Sequence, residues 1–316
     1  MLQIVLLGTG AGATAALLFA SIASGSMIAI ILSFLAPLPI LLAALGWSHW
    51  AALIAALVGS ASIAATFGIV TGLAFMAGIG FPGWWLGYLT MLARPGTQPN
   101  VVEWYPPGNL VFWASLSGLL FAGTTLFQIT NHHDRLSTVL RPAFEQMLGG
   151  KAGLPATDID RVVVTFLLLA PSIAAVTIGA INLINLWLAG RIVQASGRLK
   201  RPWPDISALT LPRRTPLLLG AAALGWFLPG ALGWAAGALA AVLLLAFAVV
   251  GFAVLHATTH ALNGRAFIIG SAYGAVLILS GWPMLIFAML GLADVTFDLR
   301  GRAAMSGRAP PNLPKP

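Results

Sequence analysis

Cysteine is absent from the 316-residue chain, which removes disulfides, thiolate metal sites and cysteine catalysis. Charge is scarce as well. Lys and Arg number 16 and Asp and Glu 8, together 8% of residues, against about 25% in a soluble globular domain. That balance excludes an ordinary water-soluble fold. Three motif absences narrow the function classes further. No Gly-x-Ser-x-Gly elbow precedes an ordered Asp and His, no Gly-x-Gly-x-x-Gly follows a predicted strand, and no Gly-Lys-Ser/Thr phosphate loop is present. A chain of this kind cannot power transport with ATP through a phosphate loop, and neither a cofactor nor an enzymatic activity is expected of it. The net charge of +8 does not indicate nucleic acid, because no basic stripe is interleaved with exposed aromatics.

What fills the chain is apolar: 59% of residues are hydrophobic. Residues 1–93 carry no Asp, Glu, Lys or Arg, and further uncharged blocks run 104–133, 162–190, 215–264 and 266–293. Each exceeds the roughly 20 residues a helix needs to cross a hydrocarbon core. The composition predicts an all-α, polytopic helical bundle in the membrane, residues 1–298, followed by a basic, Pro-rich tail over 299–316. Turn residues suggest spans near 2–23, 26–46, 50–67, 69–92, 109–130, 162–190, 215–231, 234–261 and 266–293. Kinks are expected at Pro37, Pro39, Pro82 and Pro171. No charged leader precedes the first span, so Leu2 onward is expected to be a retained helix. Trp47, Trp50, Trp84, Trp85, Trp104, Trp113, Trp203 and Trp234 fall at or near span ends, where an aromatic belt sits at the headgroup level.

Basic residues set the expected orientation. Segment 191–214 holds Arg191, Arg198, Lys200, Arg201, Arg213 and Arg214 against Asp205 alone, and the tail holds Arg300, Arg302, Arg308 and Lys315. Both are expected to be cytoplasmic. Segment 131–161 balances Arg135, Arg141, Lys151 and Arg161 against Asp134, Glu145, Asp158 and Asp160, so it can face outward. Two basic segments on one side require an even number of crossings between them. The expected total is therefore eight or ten, with either a break at Gly281-Trp282-Pro283 or a partial, re-entrant 215–231. Within 131–161, Leu136, Val139, Leu140, Phe144, Met147 and Leu148 recur at helical spacing around Pro142. Such an amphipathic stretch lies on the membrane surface or packs on the bundle.

Few features carry chemistry. Gly8, Gly12, Ala16 and Ala20 form a four-residue stripe on the first helix, which lets a second helix approach closely. The stripe serves internal packing or docks a partner subunit. Asn182 and Asn185 share a face of the sixth span, and His256, His260 and Asn263 recur at i, i+4, i+7. These five are the candidate solute-contacting residues. Interhelical hydrogen bonding is the plainer role, because an unpaired polar group in hydrocarbon costs several kcal/mol. Two histidines four apart can also ligate a metal, but a metalloprotease helix carries Glu after the first, and Ala257 stands there. No metal is expected. The His132-His133-Asp134 run ends the fifth span as a solvated helix end, and Asp294, Asp298, Arg300 and Arg302 are expected to form a solvated, locally paired cap.

Four stretches together carry a family resemblance: Phe34–Trp47 (FLAPLPILLAALGW), Glu103–Gly108 (EWYPPG), Asn185–Ile206 (NLWLAGRIVQASGRLKRPWPDI) and Leu290–Arg302 (LGLADVTFDLRGR). They resemble the YybS-like family of predicted bacterial membrane proteins of unknown function, which is distantly similar to the S components of energy-coupling factor transporters. The resemblance implies an apolar helical subunit that captures a small solute, with the Gly8/Gly12/Ala16/Ala20 stripe docking a separate coupling subunit; a homo-oligomer is the other partner expected of the chain. The helical content after residue 200 exceeds the roughly six spans such components commonly have, and no vitamin site carries over. Two further readings stand beside this one. The first is a structural or regulatory scaffold acting through the 191–214 loop and the tail. The second is an intramembrane enzyme using His256 and His260.

Overall fold

Glycine, serine and proline divide the apolar blocks into helices. The computed structural model describes residues 1–97, 101–149, 155–260, 262–279 and 281–305. The tail with Arg308 and Lys315, Lys151, and the side chains of His133 and Asp134 lie outside the described residues. Helix α1 (Leu2–Ala20) ends in a 3-10 turn, Ser21–Ser24, closed by Gly25 at φ 66°. Ser26 caps α2 (Met27–Phe34), its Oγ accepting the Ala29 N–H at 3.2 Å. The chain bends into α3 (Pro37–Gly46), and Ser48 caps α4 (His49–Phe67). After Gly68 come α5 (Ile69–Phe75), a π turn over Met76–Gly80, and α6 (Phe81–Thr90).

A short antiparallel ribbon follows, β1 (Ala93–Pro95) with β2 (Val102–Trp104), which the charge pattern did not announce. The exposed Arg94–Glu103 pair closes it at 2.8 Å. Then come α7 (Pro107–Phe144), α8 (Ala156–Ala195), α9 (Thr215–Gly225), α10 (Gly230–Thr258), α11 (Arg265–Ile278), α12 (Met284–Phe297) and the short α13 (Leu299–Met305).

Among the described residues seven helical units are long and apolar enough to cross a membrane: Leu2–Ser24, Met27–Gly46, His49–Phe67, Ile69–Thr90, Pro107–His132, Thr157–Ala195 and Gly230–Thr258. Three shorter apolar helices, α9, α11 and α12, join them. The architecture is the all-α polytopic bundle that the uncharged blocks imply. Each alternative offered for the even crossing count has a counterpart here, although either alone gives an even number and the two together do not. Helix α9 has 11 residues, about 17 Å of helix against a hydrocarbon core of about 30 Å. The Gly281-Trp282-Pro283 segment separates α11 from α12.

Helix α7 is kinked at His132 (φ −135°, ψ 29°). Beyond the kink its amphipathic stretch packs on the start of α8, with Leu136, Leu140 and Phe144 clustered around Ile159, Val163 and Leu167. Arg141 reaches Asp160 at 3.4 Å. Val139 and Met147 remain exposed, so the stretch packs on the bundle through one face and keeps apolar side chains on another.

Close backbone approach holds the layers together. Gly118 of α7 meets the Ala175 carbonyl of α8, while Gly251 of α10 and Gly291 of α12 meet the Phe287 and Phe247 carbonyls of each other's helix. Gly8 and Gly12 are buried, with α4 against the face where a side chain would stand. A Cβ on Gly12 would lie 2.5 Å from the Ala55 carbonyl oxygen. Ala16 is buried and Ala20 packs in the same core cluster. The stripe is thus occupied by α4 within the chain. A Gly12→Val substitution is expected to destabilise by about 1–3 kcal/mol or more, since backbone must move to admit it. Gly10→Val, at a position with nothing within 4 Å, is the matched control. Thermal unfolding in detergent should show a lowered midpoint for the first variant and little change for the second.

Candidate functional site

The polar centre of the bundle is built on proline. Pro82 has no N–H, so the Gly78 carbonyl loses its i+4 donor in the middle of the Ile69–Thr90 unit. At the α2–α3 bend Leu38 donates to the Leu35 carbonyl at 3.0 Å, a tighter bond than the α-helical one to Phe34. Two carbonyls, Gly78 O and Phe34 O, are therefore left over near the midpoints of their spans. Asn182 and Asn185 of α8 supply the donors. The Asn182 Nδ2 donates to Gly78 O at 3.1 Å and to Ser117 Oγ at 3.1 Å. The Asn185 Nδ2 donates to Phe34 O and to Ile181 O, both at 2.8 Å. Because each Nδ2 faces carbonyl oxygens, the orientation of both amides is set.

The amide oxygens find nothing. Asn182 is 0% and Asn185 2% exposed, and neither Oδ1 has a hydrogen-bond partner. Ser60 Oγ, Ser115 Oγ and Trp84 Nε1 are buried and unpartnered as well. Ser60 stands beside the π turn, its Oγ 3.3 Å from where a Gly80 Cβ would be, and the Phe121 ring covers Gly78. The asparagine pair is polar and neutral, and it leaves two acceptors in want of donors.

The histidine set does not join it. His256, at the end of α10, is within 3.3 Å of the Tyr273 hydroxyl of α11 through Nε2. His260 and Asn263 are exposed beyond the helix end, so the i, i+4, i+7 spacing does not carry all three along one helical face. Among the described residues no group of three His, Cys, Asp or Glu side chains comes together.

One anchor escaped sequence reasoning, and a second was expected in the wrong setting. Arg201, counted there as a loop charge, is 6% exposed and donates to the Thr90 and Tyr105 carbonyls at 3.2 and 2.8 Å. It thereby closes the C-terminus of α6, and burial lowers its pKa from the ordinary guanidinium value. Asp294 and Arg300 do pair, at 2.7 Å, but the expected solvation is corrected: the side chains are 4% and 14% exposed. Arg300 also donates to the Ser207 and Leu209 carbonyls, which folds the 206–211 stretch over the pair and excludes water. Only the recurrence of Asp and Arg six apart hinted at the contact, and nothing local hinted at its burial.

An apolar bundle with interrupted helices and a neutral polar layer defines a class, the polytopic α-helical membrane proteins. Within that class the chain belongs to the family of predicted membrane proteins DUF2232, whose model matches residues 13–295. No curated protein matches the chain, and no solved structure does.

Removing Arg300 leaves a buried carboxylate without its cation, which costs about 3–5 kcal/mol. Arg300→Met is expected to lower the unfolding midpoint accordingly. Adding Asp294→Leu should recover most of the loss. A double-mutant cycle by thermal unfolding in detergent checks both, and an additive cycle would sink the assignment.

Proposed function

We propose that the chain is a non-enzymatic solute-handling subunit of a bacterial inner membrane, with the Asn182–Asn185 layer as its site. The reading rests on one observation: two fully buried amide oxygens stay unpaired at mid-span beside two interrupted helices. Interrupted helices at membrane depth occur where irregular backbone is enclosed by protein or lines a cavity, and transporters place their sites at such breaks. The solute that suits these groups is small and neutral and carries N–H or O–H donors, because the layer has acceptors to satisfy and no charge to pair. The lack of a phosphate loop leaves energy to a separate coupling subunit. The face α1 turns to α4 is occupied, so the coupling subunit would meet a different surface.

Membrane orientation follows the basic residues, with 191–214 and the C-terminus in the cytoplasm. Reporter fusions after Arg214 and after Arg302 should both read cytoplasmic; opposite sides would overturn the orientation.

A scaffold without a solute is the second reading, and it has its own observation. Both asparagine amides already serve the chain's own helix breaks. Native mass spectrometry of the full chain separates the two. The solute reading expects a retained small molecule that Asn182→Val and Asn185→Val lose, with helicity kept. Wild-type protein without any adduct, and variants that change only thermal stability, would favour the scaffold.

A further inference from the structure

A groove of about 700 Å³ opens on the outer side of the bundle between α1 and α3. Its walls are apolar, chiefly Leu2, Leu6 and Ala11 on one side and Leu42 and Ala43 on the other, and its mouth holds Gln3, Trp47 and Arg198. The chain direction places all three polar-capable residues at one end. Helix α1 begins there, α3 finishes there, and Arg198 follows the C-terminus of α8. From Gln3 to Ala11, and from Pro39 to Trp47, the groove runs about 12 Å at 1.5 Å per residue. Half of a hydrocarbon core is about 15 Å. The groove therefore has the depth of one leaflet and is polar only at its rim.

The rim is built for an anion. The Arg198 guanidinium sits 4.6 Å from the Trp47 ring centroid, which holds the side chain at the mouth without neutralising it. Among the described residues no carboxylate pairs with Arg198, and the side chain is exposed. Segment 191–214 around it carries six basic residues and one acidic. Trp47 is itself 42% exposed, as an indole at the headgroup level is.

We propose that this groove binds one anionic phospholipid, an acyl chain lying between α1 and α3 and the phosphate on Arg198, with the Gln3 amide within the same headgroup zone. A second apolar helix would fill the walls but leave the unpaired guanidinium facing hydrocarbon or an unmatched surface. A phosphodiester satisfies walls and rim together. The site is separate from the Asn182–Asn185 layer and does not depend on the solute reading.

The test uses the full chain purified in detergent, incubated with an equimolar mixture of phosphatidylglycerol and phosphatidylcholine and read by native mass spectrometry. One basic residue at a membrane surface favours an anionic lipid about fivefold, so one phosphatidylglycerol should be retained about fivefold over phosphatidylcholine. Arg198→Gln should bring the ratio to one, and Arg198→Lys should keep most of the preference. Leu6→Trp, which fills the groove from a lipid-facing position, should lower retention of both lipids. Inorganic phosphate in excess should not displace the bound lipid. An equal ratio in the wild-type chain would overturn the proposal, as would an unchanged ratio in Arg198→Gln, full retention in Leu6→Trp, or displacement by phosphate.

Discussion

A backbone carbonyl that enters hydrocarbon must find a donor within the protein, and this requirement organises the first half of the chain. Proline at 37, 39 and 82 interrupts two spans near their middles, which leaves carbonyls that no helix can satisfy. Helix α8 answers both interruptions from a single face, with Asn185 on Phe34 O and Asn182 on Gly78 O. Those two bonds tie α2–α3 and the π turn to the same helix, so the α1–α6 layer and the α7–α8 pair are held in one register. The amide geometry that meets this need leaves two acceptors over. The same side chains are thus a structural staple through nitrogen and carry a buried, unpaired acceptor through oxygen.

Charge is used with equal economy. Arg201 and Arg300 are not spent on water. Each enters the protein and closes backbone carbonyls at an edge of the bundle, Thr90 and Tyr105 for one, Ser207 and Leu209 for the other. A guanidinium has five donors in a fixed fork, which suits it to gather several carbonyls where a loop meets a helix end. Asp294 neutralises Arg300 in the buried position. Arg191 and Arg198 instead lie over Trp203 and Trp47, and Arg198 keeps its charge at the groove rim.

Much of the fold was legible before any coordinates. Uncharged blocks separated by Gly, Ser and Pro predict the first six spans to within a few residues for most ends, since helix length in a bilayer is dictated by thickness. The amphipathic stretch after residue 131 was legible for a different reason, because its three- and four-residue spacing reports one buried face. The candidate site was legible in part. Asn182 and Asn185 stood out as polar groups in an apolar block, whereas Ser60 and Ser115 did not, as hydroxyls are ordinary in membrane helices; Trp84, expected in the aromatic belt, instead packs against the core with its indole N–H buried. The His256/His260/Asn263 set shows the limit of spacing arguments: the helix ends at Thr258, so the face on which they were to meet does not exist.

Sequence by itself determined the class of protein, the membrane setting and the interruptions at Pro37–Pro39 and Pro82, because each follows from local composition and from the missing N–H of proline; Pro171, where a kink was expected, lies inside the continuous α8, and the kink of α7 falls at His132, away from any proline. It also determined that the interior holds almost no ionisable chemistry. Tertiary structure alone decided which groups meet. The stripe of Gly8 and Gly12 could face any helix until α4 was placed against it. The asparagines could bond any partner until the broken spans were brought to α8, 104 and 151 residues away in the chain. Long-range pairing of this kind depends on how apolar faces pack, and the energy of that packing is non-directional, so it leaves no local mark in the order of residues.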